Sequence, residues 1–431
     1  MKPAFTCGTI AAIALIRAAV AQPIVPDVRP VAFADLALDR AQTESLKHAP
    51  DVRAANAVVA EDAAGLSLAR SVLGPSLFSN YALTPQANPN FGTAPQIAAV
   101  PVSISQRLTS VGVQATVGDT LAYAPNVASA EATLRSAQAS LAAAQRAERS
   151  KVIGLYYEAL KALAVARARN DAVSVAKTQP DAAGIRVRAG DAPRLDLVRA
   201  NVTLARAVAA AALAGAALEN AAQALRIETG LAVALDRTID GALPQARLLT
   251  PEEAVLIATR DNPELQAAQA TTQSARAAAV AAGRAALPAI NLAAGYARGQ
   301  DSGLEVSGPI VNVGLVFPLG GGAFAGAAQK RALAAQAEAK QENVARQLLL
   351  DVSAAARNLS AAHRATAASV EARAEAQSEF NAIALGYKNG ASSSLELAAA
   401  EDTLNVAVVD ELTAVYDELK ARDLLNVELG T

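Results

Sequence analysis

Two hydrophobic periods alternate along the chain. From Leu36 to Leu73 apolar residues recur at helical spacing, with a break at Pro50 and a stop at Gly74-Pro75, which predicts a helix in two pieces. The period then shortens to two. Leu77, Ser79, Tyr81 and Leu83 alternate with Phe78, Asn80 and Ala82, and Val100, Val102 and Ile104 alternate with Pro101, Ser103 and Ser105. These patterns predict strands over about 77–83 and 97–106, separated by a turn-rich loop from Thr84 to Pro95. Helical spacing returns from about Asn126 to Arg188, where Pro180 is expected to kink the helix, and again over Arg194–Glu228.

The second half repeats this order. Pro263 lies 213 residues after Pro50, and Pro288 lies 213 after Pro75. Alternation follows in Ile290, Leu292, Ala294 and Tyr296 and in Val311, Val313, Leu315 and Phe317, predicting strands over about 289–297 and 309–317. Ala327–Leu385 then contains neither Pro nor Gly, and as a helix it is about 90 Å long. A final helix is expected over Ser394–Val427. Each long helix ends at a glycine turn, Arg188-Ala189-Gly190 or Lys388-Asn389-Gly390, and a helix restarts at Leu195-Asp196-Leu197 or Leu395-Glu396-Leu397, 200 residues apart. The chain is a tandem duplication. Residues 36–228 form the first repeat, 229–250 a mixed linker and 251–431 the second repeat, which opens on Thr250-Pro251 with Glu253 as a capping box.

Composition narrows the class. Hydrophobic residues are 52% of the chain but aromatics only 3%, with no Trp and one Met, so small side chains must supply the apolar contact, as in closely packed helices. A net charge of −2 without a basic stripe gives no footprint for nucleic acid. Lys2, an apolar run from Gly8 to Val20 and Ala19-Val20-Ala21 resemble a secretory signal over residues 1–21, and the Pro-rich residues 22–35 are expected to be extended. The single Cys7 precedes the apolar run, so no disulfide is expected. Beyond residue 21 no long charge-free apolar stretch suggests a membrane-spanning helix.

Taken together, Thr250-Pro251-Glu252-Glu253, Asn262-Pro263-Glu264-Leu265, Leu287-Pro288, Gly386-Tyr387-Lys388-Asn389-Gly390 and Leu395-Glu396-Leu397 resemble the outer-membrane factor family typified by TolC. The resemblance covers essentially the whole chain after residue 21. The first repeat departs from it more, having Ala49-Pro50-Asp51-Val52 and placing Arg107 where the second has Pro318. It implies a mainly α protein with a β-barrel part. Three subunits would each give four strands to one twelve-stranded barrel in outer-membrane lipid, with an α-helical tunnel in the periplasm. It further implies a channel component of a tripartite efflux or type I secretion system, working with a periplasmic adaptor and an inner-membrane pump. Gly190 and Gly390 would mark the tunnel's tip. Tyr387 and Asp196 match residues that hold neighbouring hairpins together there, and Glu396 matches an acidic ring position. An arginine used in that lock is Ser392 here, and a second ring position is Ala399.

Elementary chemistry leaves a plainer account of the same residues. An acidic side chain in the first turn of a helix stabilises the helix dipole, which suffices for Asp196 and Glu396, and Tyr387 suits packing at a hairpin end. Three carboxylates gathered by three-fold symmetry would instead favour cations in a pore. His48 and His363 are isolated and expected to be solvated, with no metal-ligand spacing around them. Gly320-Gly321-Gly322 lacks the lysine of a phosphate loop and suits a strand-to-helix joint. No catalytic constellation, cofactor motif or metal site is expected. The alternative to a duct is an exported coiled-coil scaffold or adaptor with a small β domain. The strands discriminate, because a duct needs faces such as Leu77, Tyr81, Val311, Val313, Leu315 and Phe317 that can meet lipid.

Overall fold

The computed structural model describes residues 30–32, 38–71, 76–87, 103–116, 120–190, 192–234, 248–285, 287, 289–301, 304–316 and 321–430. The expected signal segment, most of residues 22–35 and Phe317 lie outside them. Eight helices are described: α1 (Leu38–His48), α2 (Pro50–Ser71), α3 (Thr120–Ala189), α4 (Arg194–Thr229), α5 (Pro251–Asp261), α6 (Pro263–Arg284), α7 (Gly321–Lys388) and α8 (Ser394–Leu429). The strands are β1 (Pro30–Ala32), β2 (Ser76–Ala87), β3 (Ser103–Thr116), β4 (Ala232–Ala234), β5 (Ala289–Asp301) and β6 (Leu304–Val316). With 70 and 68 residues, α3 and α7 are each about 100 Å long.

Local sequence explains where helices start and stop. Thr250 and Glu253 cap α5 reciprocally, and the Asn262 side chain accepts from the Glu264 and Leu265 amides to start α6. The described positive-φ glycines are Gly190, Gly230, Gly390 and Gly430. They fall in two pairs 200 residues apart, one at the tip and one at the far end of each returning helix. A left-handed residue satisfies the last carbonyls there, and Gly takes that conformation without a Cβ penalty.

The core is duplicated too. One cluster joins Ala41, Val152, Tyr156, Ala159 and Leu225, and the other joins Ala254, Val352, Ala356, Leu359 and Leu425. Members correspond at the offset of 213 before the strands and 200 after them. The 13-residue difference lies between the strands of each hairpin: residues 88–102 separate β2 from β3, whereas only 302–303 separate β5 from β6. Ser45 and Glu148, both buried and hydrogen-bonded to each other, correspond to Ala258 and Leu348, both buried in the second cluster.

The larger sheet is antiparallel in the order β2-β3-β5-β6. Here the second strand needs correction: it runs over Ser103–Thr116 rather than about 97–106. Its outward Val111 and Val113 share a strand with Thr109, Ser110 and Gly112, so it gives a weaker apolar alternation than the Val100–Ile104 stretch. Arg107 consequently lies within β3 opposite Gln300 and has no equivalence to Pro318. Further differences are smaller. The first long helix starts at Thr120 and continues through Pro180. Segments 22–35 and 229–250 contribute β1 and β4, which pair in parallel and tie the first segment to the linker. An 18-residue window of α4 is apolar enough, with few charges, to cross a membrane, and none of it is buried. Alanine gives it that character, and α4 packs along α3 as the return arm of a hairpin.

Candidate functional site

The tips of the two hairpins meet, and their contacts cross from one hairpin to the other. Asp196 enters α4 just after the first turn, and Ser394 opens α8 just after the second. The Ser394 Oγ donates to Asp196 Oδ1 at 2.5 Å, and Arg199 Nη1 donates to Ser394 Oγ at 3.1 Å. Arg199 also lies 3.9 Å from the Asp196 carboxylate. One turn before the second glycine, Tyr387 presents its ring face to the Arg186 guanidinium, 4.8 Å from the ring centroid, a cation–π contact between α7 and α3. Deeper in, Gln179 Nε2 donates to Glu401 Oε2 at 2.6 Å, and Glu401 is buried. These residues line one cavity of about 120 Å³ between the hairpins.

The structure thus brings Asp196 and Tyr387 to the same cavity through different partners. Glu396 stands apart. It is the third residue of α8 and completes a capping box: its carboxylate accepts from the Ser393 amide at 2.7 Å, and its own amide donates to Ser393 Oγ at 3.2 Å. The backbone bond, aided by the Ser393 hydroxyl, holds its carboxyl below the usual range. At Gly386 the Ser392 side chain packs against the backbone, and a Cβ there would require the Ser392 hydroxyl to turn away. Gly190 and Gly390 carry φ of 84° and 78°.

Sequence reasoning missed Arg186, Arg199, Ser394, Gln179 and Glu401. The signal available was divergence between the repeats: Arg186 corresponds to Gly386, Tyr387 to Val187, Arg199 to Ala399 and Ser394 to Arg194. Away from the tip, His363 is exposed, as expected, but it is not isolated. Its Nδ1 lies 2.8 Å from Oε1 of buried Glu418, joining α7 to α8. Among the described residues no cluster of His, Cys, Asp or Glu is arranged to hold a metal ion.

Long helical hairpins carrying a four-stranded sheet are also found in solved outer-membrane channels. The protein is similar to the outer-membrane channel OprN, with a TM-score of 0.80, 18% identity and coverage of 92% of this chain and 91% of that one. It is similar to CmeC of Campylobacter jejuni at 0.77, 14%, 92% and 86%, and to VceC of Vibrio cholerae at 0.76, 16%, 91% and 96%. At these identities the likeness is one of fold alone. No curated protein matches the sequence. The sequence profile of the outer membrane efflux protein family matches residues 42–231 and 257–431, most of the chain, and the chain belongs to that family. It is the outer-membrane channel component of an efflux system, located in the outer membrane and extending into the periplasm.

Proposed function

We propose that three copies of the chain surround one axis. Their sheets join edge to edge, β6 of one to β2 of the next, into a twelve-stranded barrel, and the helices continue it as a tunnel that ends at the glycine turns. The sheet carries this reading. Paired rows Leu77–Val113–Ala294–Val311 and Leu292–Val313 form one face, whose large apolar members are exposed in the protomer. The opposite face holds the small Ser110, Gly112, Ala293, Gly295 and Ala297. An exposed face of large apolar side chains is what a barrel wall turns to lipid. Four strands cannot close a barrel, and an open edge cannot face lipid. The unburied alanine-rich face of α4 likewise supports packing against further helices. A scaffold reading leaves the apolar sheet face without a partner.

The duct is passive: an inner-membrane pump supplies energy and choice of cargo, and a periplasmic adaptor docks at the helical tip. The Asp196–Ser394–Arg199 and Tyr387–Arg186 contacts hold the tip narrow, and Glu396 adds acidic charge at the mouth. Planar-bilayer recording of the purified protein tests this. Stepwise channels are expected, with larger unitary conductance for Asp196→Ala combined with Tyr387→Ala. Unchanged conductance contradicts the latch, and absence of channels contradicts the duct.

A further inference from the structure

We propose that contact with lipid does not stop at the strands, and that the first two turns of α7, Gly321–Gln329, lie in the periplasmic leaflet with Phe324 among the acyl chains. The inference rests on the barrel reading above and begins from a shortage of height. Along β5 and β6 the outward apolar residues are Ile290, Leu292, Ala294 and Tyr296, paired with Leu315, Val313, Val311 and Pro309. The next outward row is Tyr81, Thr109, Arg298 and Ser307, where Arg298 bonds exposed Glu305 at 3.2 Å. Polar chemistry thus begins well before the strands end on the hairpin-turn side.

Six residue steps separate Ile290 from Tyr296, about 20 Å along the strand and about 15 Å of height at a 40° tilt, against the roughly 25 Å apolar band of such barrels. The missing height of about 10 Å cannot come from the Arg298 side, so it falls at the helical end. There the chain has the right character. Val306–Gln329 contains no charged residue, and α7 begins at Gly321 with Phe324 65% exposed. Leu287, two residues before β5, is exposed as well. Gly321–Gln329 spans about 13 Å as helix, enough to supply the deficit. The exposed pair Lys330 and Arg331 follows, placed to meet headgroup phosphates where the apolar stretch ends. A helix satisfies its own backbone hydrogen bonds and so tolerates that depth.

The chain has no Trp, so single-tryptophan variants report cleanly. Phe324→Trp, Val313→Trp and Leu350→Trp, each first verified as an assembled oligomer, are placed in phosphatidylcholine vesicles with and without brominated acyl chains. Fluorescence loss in brominated lipid is expected for Phe324→Trp to the degree seen for Val313→Trp, and none for Leu350→Trp, far along α7. Quenching of Val313→Trp alone would overturn this inference and leave the barrel standing. Quenching of neither Val313→Trp nor Phe324→Trp would overturn both, and equal quenching of all three would overturn the placement of α7 by showing no boundary along it.

Discussion

A glutamate at the third position of a helix can fix the helix start or carry charge into a pore; Glu396 makes the cap, and the pore role is the one proposed for it. Glu396→Gln separates the roles, because an amide oxygen still accepts the Ser393 amide while the charge is gone. The expected outcome is reduced cation preference in reversal-potential measurements with an unchanged melting temperature; loss of stability with unchanged selectivity would leave only the cap. Tyr387 offers a similar separation. Arg186 meets its ring, so Tyr387→Phe is expected to conduct as the parent does, and Tyr387→Ala to conduct more in bilayer recordings. Gly390 carries φ 78°, and Gly390→Ala is expected to destabilise by about 1 kcal/mol in thermal unfolding. Glycine turns and acidic residues after them were legible because both copies share them. Asp196 and Tyr387 were legible through the family resemblance, but their partners Arg186, Arg199 and Ser394 were not, since the copies differ at those positions and only packing shows which residues face each other.

Between elements, the duplicated core supplies an internal control. Ser45 and Glu148 join α1 to α3 in the first copy, while Ala258 and Leu348 fill the same places between α5 and α7 in the second. Ser45→Ala alone leaves a buried carboxylate short of a donor and is expected to cost about 1–3 kcal/mol. Adding Glu148→Leu, which copies the second repeat, should restore stability to the parent level or above it, as apolar replacement of buried polar pairs often does. A double variant less stable than Ser45→Ala in chemical denaturation contradicts this equivalence. Burial pushes the Glu148 carboxyl up, outweighing the Ser45 bond. A raised folded-state value means that this group favours the fold most at pH below its unfolded value, and that the contribution is lost as pH rises through the folded one. Glu148→Gln should therefore flatten the fall in melting temperature from mildly acidic to neutral pH, and an unaltered profile would contradict the assignment. Most helix ends were legible to within a few residues because Pro, Gly and capping pairs mark them, but α3 starts six residues before the expected Asn126, with Pro125 inside its first turns. Strand β3 was misplaced because Thr109 interrupts its apolar face, leaving only Val111 and Val113 as large apolar members there. The β1–β4 pair was missed because three residues carry no period.

On the scale of the whole molecule, the protomer leaves three surfaces open: both edges of the four-stranded sheet, its apolar outer face, and the apolar length of α4. The proposed rotational assembly would cover the edges and the helix together and leave the sheet face, with the start of α7, for lipid. The duplication favours such closure, because two similar hairpins per chain make a near-regular ring from few subunits. Length, repeat order and the two offsets made the overall architecture readable from the sequence. Subunit number was not readable, since nothing in one chain's periodicity counts copies. The most direct measurement is the mass of the protein extracted from outer membranes in mild detergent, by native mass spectrometry or light scattering. Three times the mass of the single chain is the predicted result, and a monomer or dimer recovered from the soluble periplasmic fraction would contradict the shared barrel.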